Sequence, residues 1–259
     1  VSIIFMKMIN NRKVAIITGG SRGIGFECAK KLASEGYNIA ICSRSQKELK
    51  HANDYLKKNY KVQSIYMSID ASKLKDVKKF VKRVILKFKK INVLINNCGI
   101  QLNKKFEKLS IDEIQRVIQV NLFSYIYFSK EVGSQMIKQK KGKIINISSV
   151  LSKFPLIGRL PYSIAKSGVD ALTRSTAIEW SKYNIICNSI NPGHINTNLI
   201  KRDIKKGLIS FKELKKRSIT NSLGELQDVS NFVHFLVKHG SNFQTGQSYF
   251  VDGGFSIKK

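Results

Sequence analysis

The chain alternates short apolar runs with longer segments in which apolar residues recur at helical spacing. The apolar runs lie at 14–17, 38–42, 62–69, 91–95, 143–149, 185–190 and 248–251. Helical spacing follows the first run and then covers 45–58, 72–90, 110–139, 161–182 and 225–238. Short apolar runs of this kind are typical of buried strands. The alternation therefore predicts one doubly wound α/β domain over residues 1–259, with 1–12 as an N-terminal extension.

The first predicted strand leads directly into a glycine-rich turn. The turn reads T-G-G-S-R-G-I-G at residues 18–25, and Ile24, Cys28 and Leu32 share one face of the helix that follows. Strand, glycine-rich turn and helix form the context that a dinucleotide-binding fingerprint requires. The glycines let the backbone approach a pyrophosphate, and the helix N-terminus supplies N–H groups with partial positive charge. We therefore predict a dinucleotide site here.

The second predicted strand ends at Ser43 and Arg44. A site that prefers NAD has a carboxylate near this point, which accepts hydrogen bonds from the ribose 2′-hydroxyl. Ser43 offers no carboxylate, whereas Arg22 and Arg44 place two guanidinium groups near the expected 2′ position. Guanidinium groups match phosphate oxygens. The pattern favours NADP(H), and the alternative is that both arginines are merely exposed on turns.

Three residues around the fifth predicted strand suggest acid–base chemistry. Ser149 ends that strand, Tyr162 follows thirteen residues later, and Lys166 comes four residues after Tyr162. Positions i and i+4 share a helix face, so the phenol and the ammonium can address one ligand. The charge of Lys166 is expected to lower the phenol's pKa from about 10 by up to about three units. The alternative is an exposed Tyr-Lys pair on a surface helix.

Net charge separates this chain from an average protein. The composition is ordinary at 42% hydrophobic and 24% charged residues, but 46 basic against 17 acidic residues give a net charge of +29. Such a charge invites a nucleic-acid or anionic-membrane interpretation. However, only 9 of the 46 basic residues are arginine, and the lysines are spread over the whole chain. We therefore expect attraction to acidic partners or anionic substrates, and no nucleic-acid function.

The cysteines and histidines point to an intracellular protein without a metal site. Cys28, Cys42, Cys98 and Cys187 lie among apolar or small residues and form no C-x-x-C pair, which is typical of reduced, buried thiols. The four histidines are scattered. No stretch is long and apolar enough to span a membrane. These features predict a cytoplasmic protein with no membrane association and no metal.

The motifs taken together resemble the short-chain dehydrogenase/reductase family from about Lys13 to Phe255. The matching positions are T-G-G-S-R-G-I-G at 18–25, Asp70, N-N-C-G at 96–99, Asn121, I-S-S at 147–149, Y-S-I-A-K at 162–166, N-P-G at 191–193, Thr197 and V-D-G-G at 251–254. The resemblance implies a Rossmann fold whose seven-stranded parallel sheet has the order 3-2-1-4-5-6-7, with helices on both faces. It also implies a nicotinamide cofactor and a homotetramer.

The resemblance also assigns roles to matching residues. Tyr162 is the expected proton donor or base, with Lys166 binding the nicotinamide ribose, Ser149 binding the substrate oxygen and Asn121 holding a water beside Lys166. Substrate contacts are expected from Ser149, Leu151, Tyr162 and His194. Cofactor contacts are expected from Gly19, Ser21, Arg22, Gly23, Ile24, Gly25, Ser43, Arg44, Asp70, Ala71, Asn97, Gly99, Tyr162, Lys166, Pro192, Gly193, Ile195 and Thr197. Cys98 departs from the family's usual alanine and is expected to be structural.

Three function classes remain open at this level. The overall pattern is similar to 3-oxoacyl-[acyl-carrier-protein] reductases, and a +29 chain would attract an acidic carrier protein. Those reductases usually carry an arginine where this chain has Ile178, and the Ile-Glu-Trp text at 178–180 resembles sugar-acid and polyol dehydrogenases instead. A non-enzymatic cofactor-binding role is the third class. The presence of Asn121, Ser149, Tyr162 and Lys166 argues against it.

The segment 161–182 has apolar residues over more of its circumference than one sheet face needs. Such broad apolar coverage indicates burial on two sides. We expect this helix and 110–139 to pack against a symmetry mate, giving a dimer and then a tetramer.

Overall fold

In the computed structural model the sheet has seven parallel strands in the order β3-β2-β1-β4-β5-β6-β7. The structure describes residues 12–205, 207 and 210–258. The expected fold class, strand order and parallel pairing are all confirmed. Of the predicted N-terminal extension, only Arg12 lies within the described residues.

The strands are β1 Val14–Thr18, β2 Asn38–Ser43, β3 Ser64–Ser68, β4 Val93–Asn96, β5 Gly142–Ile147, β6 Ile185–Pro192 and β7 Ser248–Val251. The α-helices are α1 Gly23–Ser34, α2 Gln46–Tyr60, α3 Leu74–Phe88, α4 Ile111–Ile118, α5 Ser124–Gln139, α6 Leu160–Trp180, α7 Asn198–Lys205, α8 Phe211–Lys216 and α9 Leu226–Lys238. The bounds of the strands and of α2, α3, α6 and α9 agree with the predicted segments to within a few residues.

Two apolar layers hold helices against the two faces of the sheet. One layer joins α1, α2 and α9 to side chains such as Ile17 and Ile39, and the other joins α3, α5 and the end of α6 to side chains such as Ile16. Alternate residues of a strand point to opposite faces, so adjacent isoleucines serve different layers. Burial on both faces explains why these strands are continuously apolar.

The structure corrects two expectations about helices. The predicted single helix at 110–139 is two helices, α4 and α5, joined by a π-helical turn at Gln119–Phe123. A single π-helical turn interrupts the α-helical pattern only locally, so the overall periodicity of the segment does not mark it. Outside the segments with predicted helical spacing, 194–223 contains α7 and α8.

The carboxyl ends of all seven strands meet at one edge of the sheet because the strands are parallel. In open α/β sheets, ligands bind outside this edge, where the strand order reverses. Here the reversal lies between β1 and β4, which are neighbours in the sheet but not in sequence. The glycine-rich turn follows β1, and Ser149 follows β5, so the fold itself brings both predicted sites to this edge.

Candidate active site

The glycine-rich turn is held in place by its neighbours on both sides. Gly19 donates its backbone N–H to the carbonyl of Cys42 at 2.8 Å, and the Asn97 side chain donates to the carbonyls of Thr18 and Gly19. A Cβ at Gly25 would lie 2.4 Å from both the Asn97 amide and the Gly19 carbonyl. Only glycine therefore allows α1 to begin this close to the turn.

The turn and the end of β2 fit the adenosine end of a dinucleotide. Gly23, at φ +55, opens onto space in which a Cβ would meet nothing within 4 Å. The Ser43 hydroxyl is buried, yet it has no hydrogen-bond partner among the described residues. A buried hydroxyl without a partner is costly unless a ligand satisfies it. The first turn of α1 and this hydroxyl thus suit a phosphate-bearing group.

Glu48 is a residue of this region that the sequence analysis missed. Its carboxylate accepts the Ser21 hydroxyl at 3.1 Å and forms an ion pair with Arg22 at 3.2 Å. Arg22 therefore already has an anionic partner, with which a 2′-phosphate would have to compete. Arg44 is exposed, and its backbone carbonyl accepts the Ser68 hydroxyl at 2.8 Å. Glu48 lies in the first turn of α2, directly after Arg44, and this sequence position could have indicated that it lies near the expected 2′ position.

The remaining expected cofactor residues line the same edge. Asp70 accepts the backbone N–H and the hydroxyl of Ser72; burial raises its pKa, but these hydrogen bonds outweigh burial and leave it lowered. Ala71 is buried beside it. Beyond β6, Gly193 donates to the Val251 carbonyl at 3.0 Å, which ties the end of β6 to β7. Pro192, Ile195 and Thr197 lie in this same segment at the end of β6.

Ser149, Tyr162 and Lys166 are brought to the end of β5. The Ser149 hydroxyl accepts the backbone N–H of Leu151 at 3.2 Å, which leaves its own proton available to a ligand oxygen. Lys166 lies 5.6 Å from the centroid of the Tyr162 ring, one helical turn away on α6. Tyr162 is half-buried and Lys166 is 3% exposed. The alternative of an exposed surface pair is thereby excluded.

The expected lowering of the Tyr162 pKa is wrong in direction. Burial raises the pKa of Tyr162 above its ordinary value, against the opposing effects of Ser149, Gln101 and Arg159. Burial also lowers the pKa of Lys166 to about 7, against the influence of Asp170 and Cys98. The expectation failed because it treated Lys166 as a permanent charge, whereas burial disfavours the charged form of both side chains. Tyr162 is therefore a neutral phenol at neutral pH.

Tyr125 contacts Lys166 directly, and the sequence analysis missed it. The Lys166 ammonium donates to the Tyr125 hydroxyl at 3.0 Å and to the Ile147 carbonyl at 2.7 Å. The Tyr125 hydroxyl in turn donates to the same Ile147 carbonyl at 2.9 Å. Tyr125 lies four residues, about one helical turn, after Asn121, which is the residue expected to act beside Lys166.

Asn121 has a structural task that its expected role did not include. Its side chain donates to the carbonyls of Ile100 and Val117 and accepts the backbone N–H of Ile100. A Cβ at Gly99 would lie 2.8 Å from the Asn121 oxygen, so glycine is required there. Asn121 thus fastens the π-helical turn to the loop after β4. Its role in holding a water beside Lys166 stays a prediction.

The residues expected to bind substrate do not share one cavity. His194 lines a cavity of about 560 Å³ beyond β6 and β7, whereas Leu151 lines an apolar cavity of about 770 Å³ beside α6. Phe154, three residues after Leu151, packs on Phe255, which contacts the His194 ring. Burial, with nearby Arg217 and Arg159, lowers the pKa of His194 to about 4, so its imidazole is neutral.

The four cysteines agree with the expectation of unpaired thiols. All four cysteines are free, and Cys98, beside the glycine-rich turn, donates its backbone N–H to the Thr18 hydroxyl at 3.1 Å. Burial raises the pKa of Cys98, which favours a structural thiol. Among the described helices, none combines the length and apolarity needed to cross a membrane.

Comparison with known proteins gives a consistent set of relatives. A family model described as short chain dehydrogenase matches residues 13–207. The chain is 35% identical, over 95% of its length and 98% of the relative's, to 3-oxoacyl-[acyl-carrier-protein] reductase FabG of Buchnera aphidicola subsp. Baizongia pistaciae. Its structure is similar to a putative gluconate dehydrogenase from Agrobacterium tumefaciens, with TM-score 0.90, 29% identity and coverage of 97% and 98%.

A second solved structure combines a similar fold with bound ligands. It is the L-sorbose reductase from Gluconobacter frateurii complexed with NADPH and L-sorbose. The TM-score is 0.91 at 26% identity, with 96% of this chain and 98% of that chain covered.

Proposed function

The chain belongs to the short-chain dehydrogenase family, and we propose that it reduces a 3-ketoacyl thioester to the 3-hydroxyacyl product with NADPH. The family's chemistry is oxidation and reduction, and the reductase relatives support ketone and alcohol interconversion. One observation carries the proposal: the Ser149 hydroxyl, the neutral phenol of Tyr162 and the Lys166 ammonium converge at the sheet edge that holds the glycine-rich turn.

The protein's part in the reaction is to bind, orient and move a proton. The nicotinamide cofactor supplies the hydride. The Ser149 hydroxyl donates a hydrogen bond to the ketone oxygen and holds it beside Tyr162. Tyr162 transfers its phenolic proton to that oxygen as negative charge develops there. The Lys166 ammonium stabilises the phenolate that remains.

The protonated state of Tyr162 suits a role as general acid. A general acid must hold its proton at working pH, and a phenol whose pKa is raised by burial does so. Oxidation would instead need the phenolate as base. The opposing effects of Ser149, Gln101 and Arg159 act on the phenolate that forms after proton transfer.

The charges around the glycine-rich turn support NADP(H). Arg22 and Arg44 lie near the end of β2, where a neutral Ser43 replaces the carboxylate typical of NAD sites. Glu48 works against this preference because it already pairs with Arg22. Among the described residues Arg44 forms no such ion pair, so it carries more of the preference than Arg22. The L-sorbose reductase complexed with NADPH is a further argument.

The substrate assignment follows the curated relatives. A relative at 35% identity over 95% of this chain is a 3-oxoacyl-[acyl-carrier-protein] reductase, and the +29 charge would draw an acidic carrier protein toward this chain. The second candidate is a sugar-acid or polyol dehydrogenase. Ile178, 77% exposed where the carrier-dependent reductases usually have arginine, favours that candidate, as do the gluconate dehydrogenase and L-sorbose reductase structures.

Exposed apolar side chains on α4 and α6 support assembly into a tetramer. Ile111 on α4 is 67% exposed, and Ile164 and Ile178 on α6 are 50% and 77% exposed. Isoleucines this exposed on two adjacent helices are typical of a surface that another copy covers. The four free thiols support a reducing, cytoplasmic location for the assembly.

The proton-transfer role predicts the behaviour of Tyr162→Phe. The variant should lose more than about 100-fold in kcat, since it removes only the ionisable oxygen. Its circular dichroism and its NADPH dissociation constant, measured by fluorescence titration, should stay near those of the unchanged protein. Tyr183→Phe, which deletes a phenolic oxygen just beyond the end of α6, is the control. Retention of more than a few per cent of kcat by Tyr162→Phe would refute the role.

Cofactor preference should follow the charges near the 2′ position. We expect the unmodified protein to prefer NADPH about 10- to 1000-fold in kcat/KM at low salt. Arg44→Ala should weaken NADPH about tenfold while changing NADH little, and Glu48→Gln should strengthen NADPH by relieving Arg22. Lys57→Ala, which removes the same charge at the far end of α2, should leave the ratio unchanged. Equal kcat/KM for both cofactors in the unmodified protein would overturn the assignment.

A substrate panel separates the two candidate activities. With NADPH, acetoacetyl thioesters of coenzyme A and of a carrier protein should exceed 5-ketogluconate and L-sorbose by at least about tenfold in kcat/KM. The carrier-bound thioester should lose its advantage as salt rises, since long-range attraction is screened. A panel in which the keto sugars win would replace the thioester with the second candidate.

Light scattering tests the assembly. At micromolar concentration the mass should be close to four times the 29.3 kDa of one chain. Ile164→Glu should reduce it, because a charge in a buried interface is costly. Leu86→Glu on α3, where the parent leucine is 61% exposed, is the matched control and should not change it. A monomeric mass for the unmodified protein would contradict the expected tetramer.

A further inference from the structure

The Lys166 ammonium lies inside the protein with few groups to satisfy it. Its side chain is 3% exposed, and its hydrogen bonds go to the Tyr125 hydroxyl and the Ile147 carbonyl. Tyr125 is 1% exposed, and its ring centroid lies 4.6 Å from the ammonium. Tyr125 has no part in the motifs of the sequence, yet it contacts Lys166 both through its oxygen and through its ring.

We propose that Tyr125 is a positioning residue for the reaction, which holds the Lys166 ammonium against the end of β5 and keeps it charged. This inference rests on the proposed function, because it concerns the lysine that serves Tyr162. Tyr125 does not touch the substrate or the reacting atoms and acts only through Lys166.

The three groups form a closed ring of hydrogen bonds. Lys166 donates to Tyr125 at 3.0 Å and to Ile147 at 2.7 Å, while Tyr125 donates to Ile147 at 2.9 Å. An ammonium has three N–H donors, so two are fixed and one is left. The two fixed N–H groups set the direction of the third N–H. The Lys166 Nζ that carries it lies 5.6 Å from the centroid of the Tyr162 ring. Tyr125 thereby orients the ammonium for Tyr162 and the cofactor ribose.

Asn121 cannot replace Tyr125 as the hydrogen-bond partner of Lys166. The Asn121 side chain lies one helical turn before Tyr125, but it is used by Ile100 and Val117. The π-helical turn at Gln119–Phe123 lies directly before α5, and Tyr125 is the second residue of that helix. A phenol built into α5 therefore occupies this side of Lys166.

The ionisation of Lys166 depends on every group that faces it. Tyr162 and Asp170 face it from α6, Cys98 from the end of β4, and Tyr125 from α5. Burial lowers the pKa of Lys166 to about 7, so its charge at neutral pH depends on small contributions. The Tyr125 oxygen accepts a bond from the charged form, and its ring face attracts a cation. Both interactions favour the ammonium.

Tyr125→Phe keeps the ring and deletes only the oxygen. The pH above which kcat declines should fall by about one unit, because a hydrogen bond to a charged group is lost. The variant should then have about one tenth of the unmodified kcat at pH 8, about half of it at pH 6 and nearly all of it at pH 5. Tyr127→Phe is the control, since that phenol accepts from Gln119 at 3.1 Å and lies two residues along the same helix.

The pH dependence of stability, measured without cofactor, is a second readout. A purely structural role of Tyr125 would lower stability equally at every pH and would leave this dependence unchanged. The folded-state pKa of Lys166 is lowered from 10.5 to about 7, so the unfolded chain binds more protons between these values and stability rises with pH across them. A further lowering in Tyr125→Phe costs stability below about pH 7 and nothing extra above it. The urea concentration at the unfolding midpoint should therefore be lower in the variant than in the unmodified protein, and the difference should be larger at pH 5.5 than at pH 9.

The outcomes separate the two proposals. An equal loss of stability at both pH values, with an unshifted pH profile, would mean that Tyr125 only fills space and would overturn the positioning role. If the unmodified protein reduces no ketone, the stability measurement still decides whether Tyr125 supports the Lys166 charge. A pH-dependent stability difference in Tyr125→Phe and not in Tyr127→Phe supports the inference.

Discussion

The burial of one ammonium group is the constraint on which the site depends. Removing a charge from water costs on the order of several kcal/mol unless partners replace the lost hydration. Lys166 finds these partners in the Ile147 carbonyl at the end of β5 and the Tyr125 hydroxyl on α5. Strand and two helices must therefore meet at fixed distances before the lysine can be accommodated. The chemistry and the packing of the central layer are thus parts of one arrangement.

The partners of Lys166 are themselves fixed by polar contacts that the apolar core does not supply. Asn121 fastens the turn before α5 to the loop after β4, and Asp170 on α6 accepts the side chains of Ser189 and Asn191 on β6. Asn191 also donates to the Ser149 carbonyl at 3.2 Å. Buried polar groups that are fully satisfied specify one arrangement of the elements. This network defines where α6 sits relative to β5 and β6.

Local patterns were sufficient for the individual strands and the glycine-rich turn, because those features depend on residues close together in sequence. The order of the strands in the sheet joins residues far apart in sequence, and it was predicted from the family resemblance and not from local patterns. Glu48 and Tyr125 escaped notice because their partners, Arg22 and Lys166, lie 26 and 41 residues away. The direction of the Tyr162 pKa escaped for a related reason. Burial is a property of the folded chain, and it outweighs the neighbouring charges on which the expectation was based.

The electrostatics at the mouth of the site follow from the same burial. Arg159 opposes the raised pKa of Tyr162 and contributes to the lowered pKa of His194, so its positive charge acts on both side chains. A neutral phenol and a neutral imidazole then face a field that stabilises negative charge. In the proposed reduction, such a field would do little for an uncharged ketone but would act on the oxygen that gains charge. Interactions stronger in the transition state than in the ground state are those that accelerate a reaction.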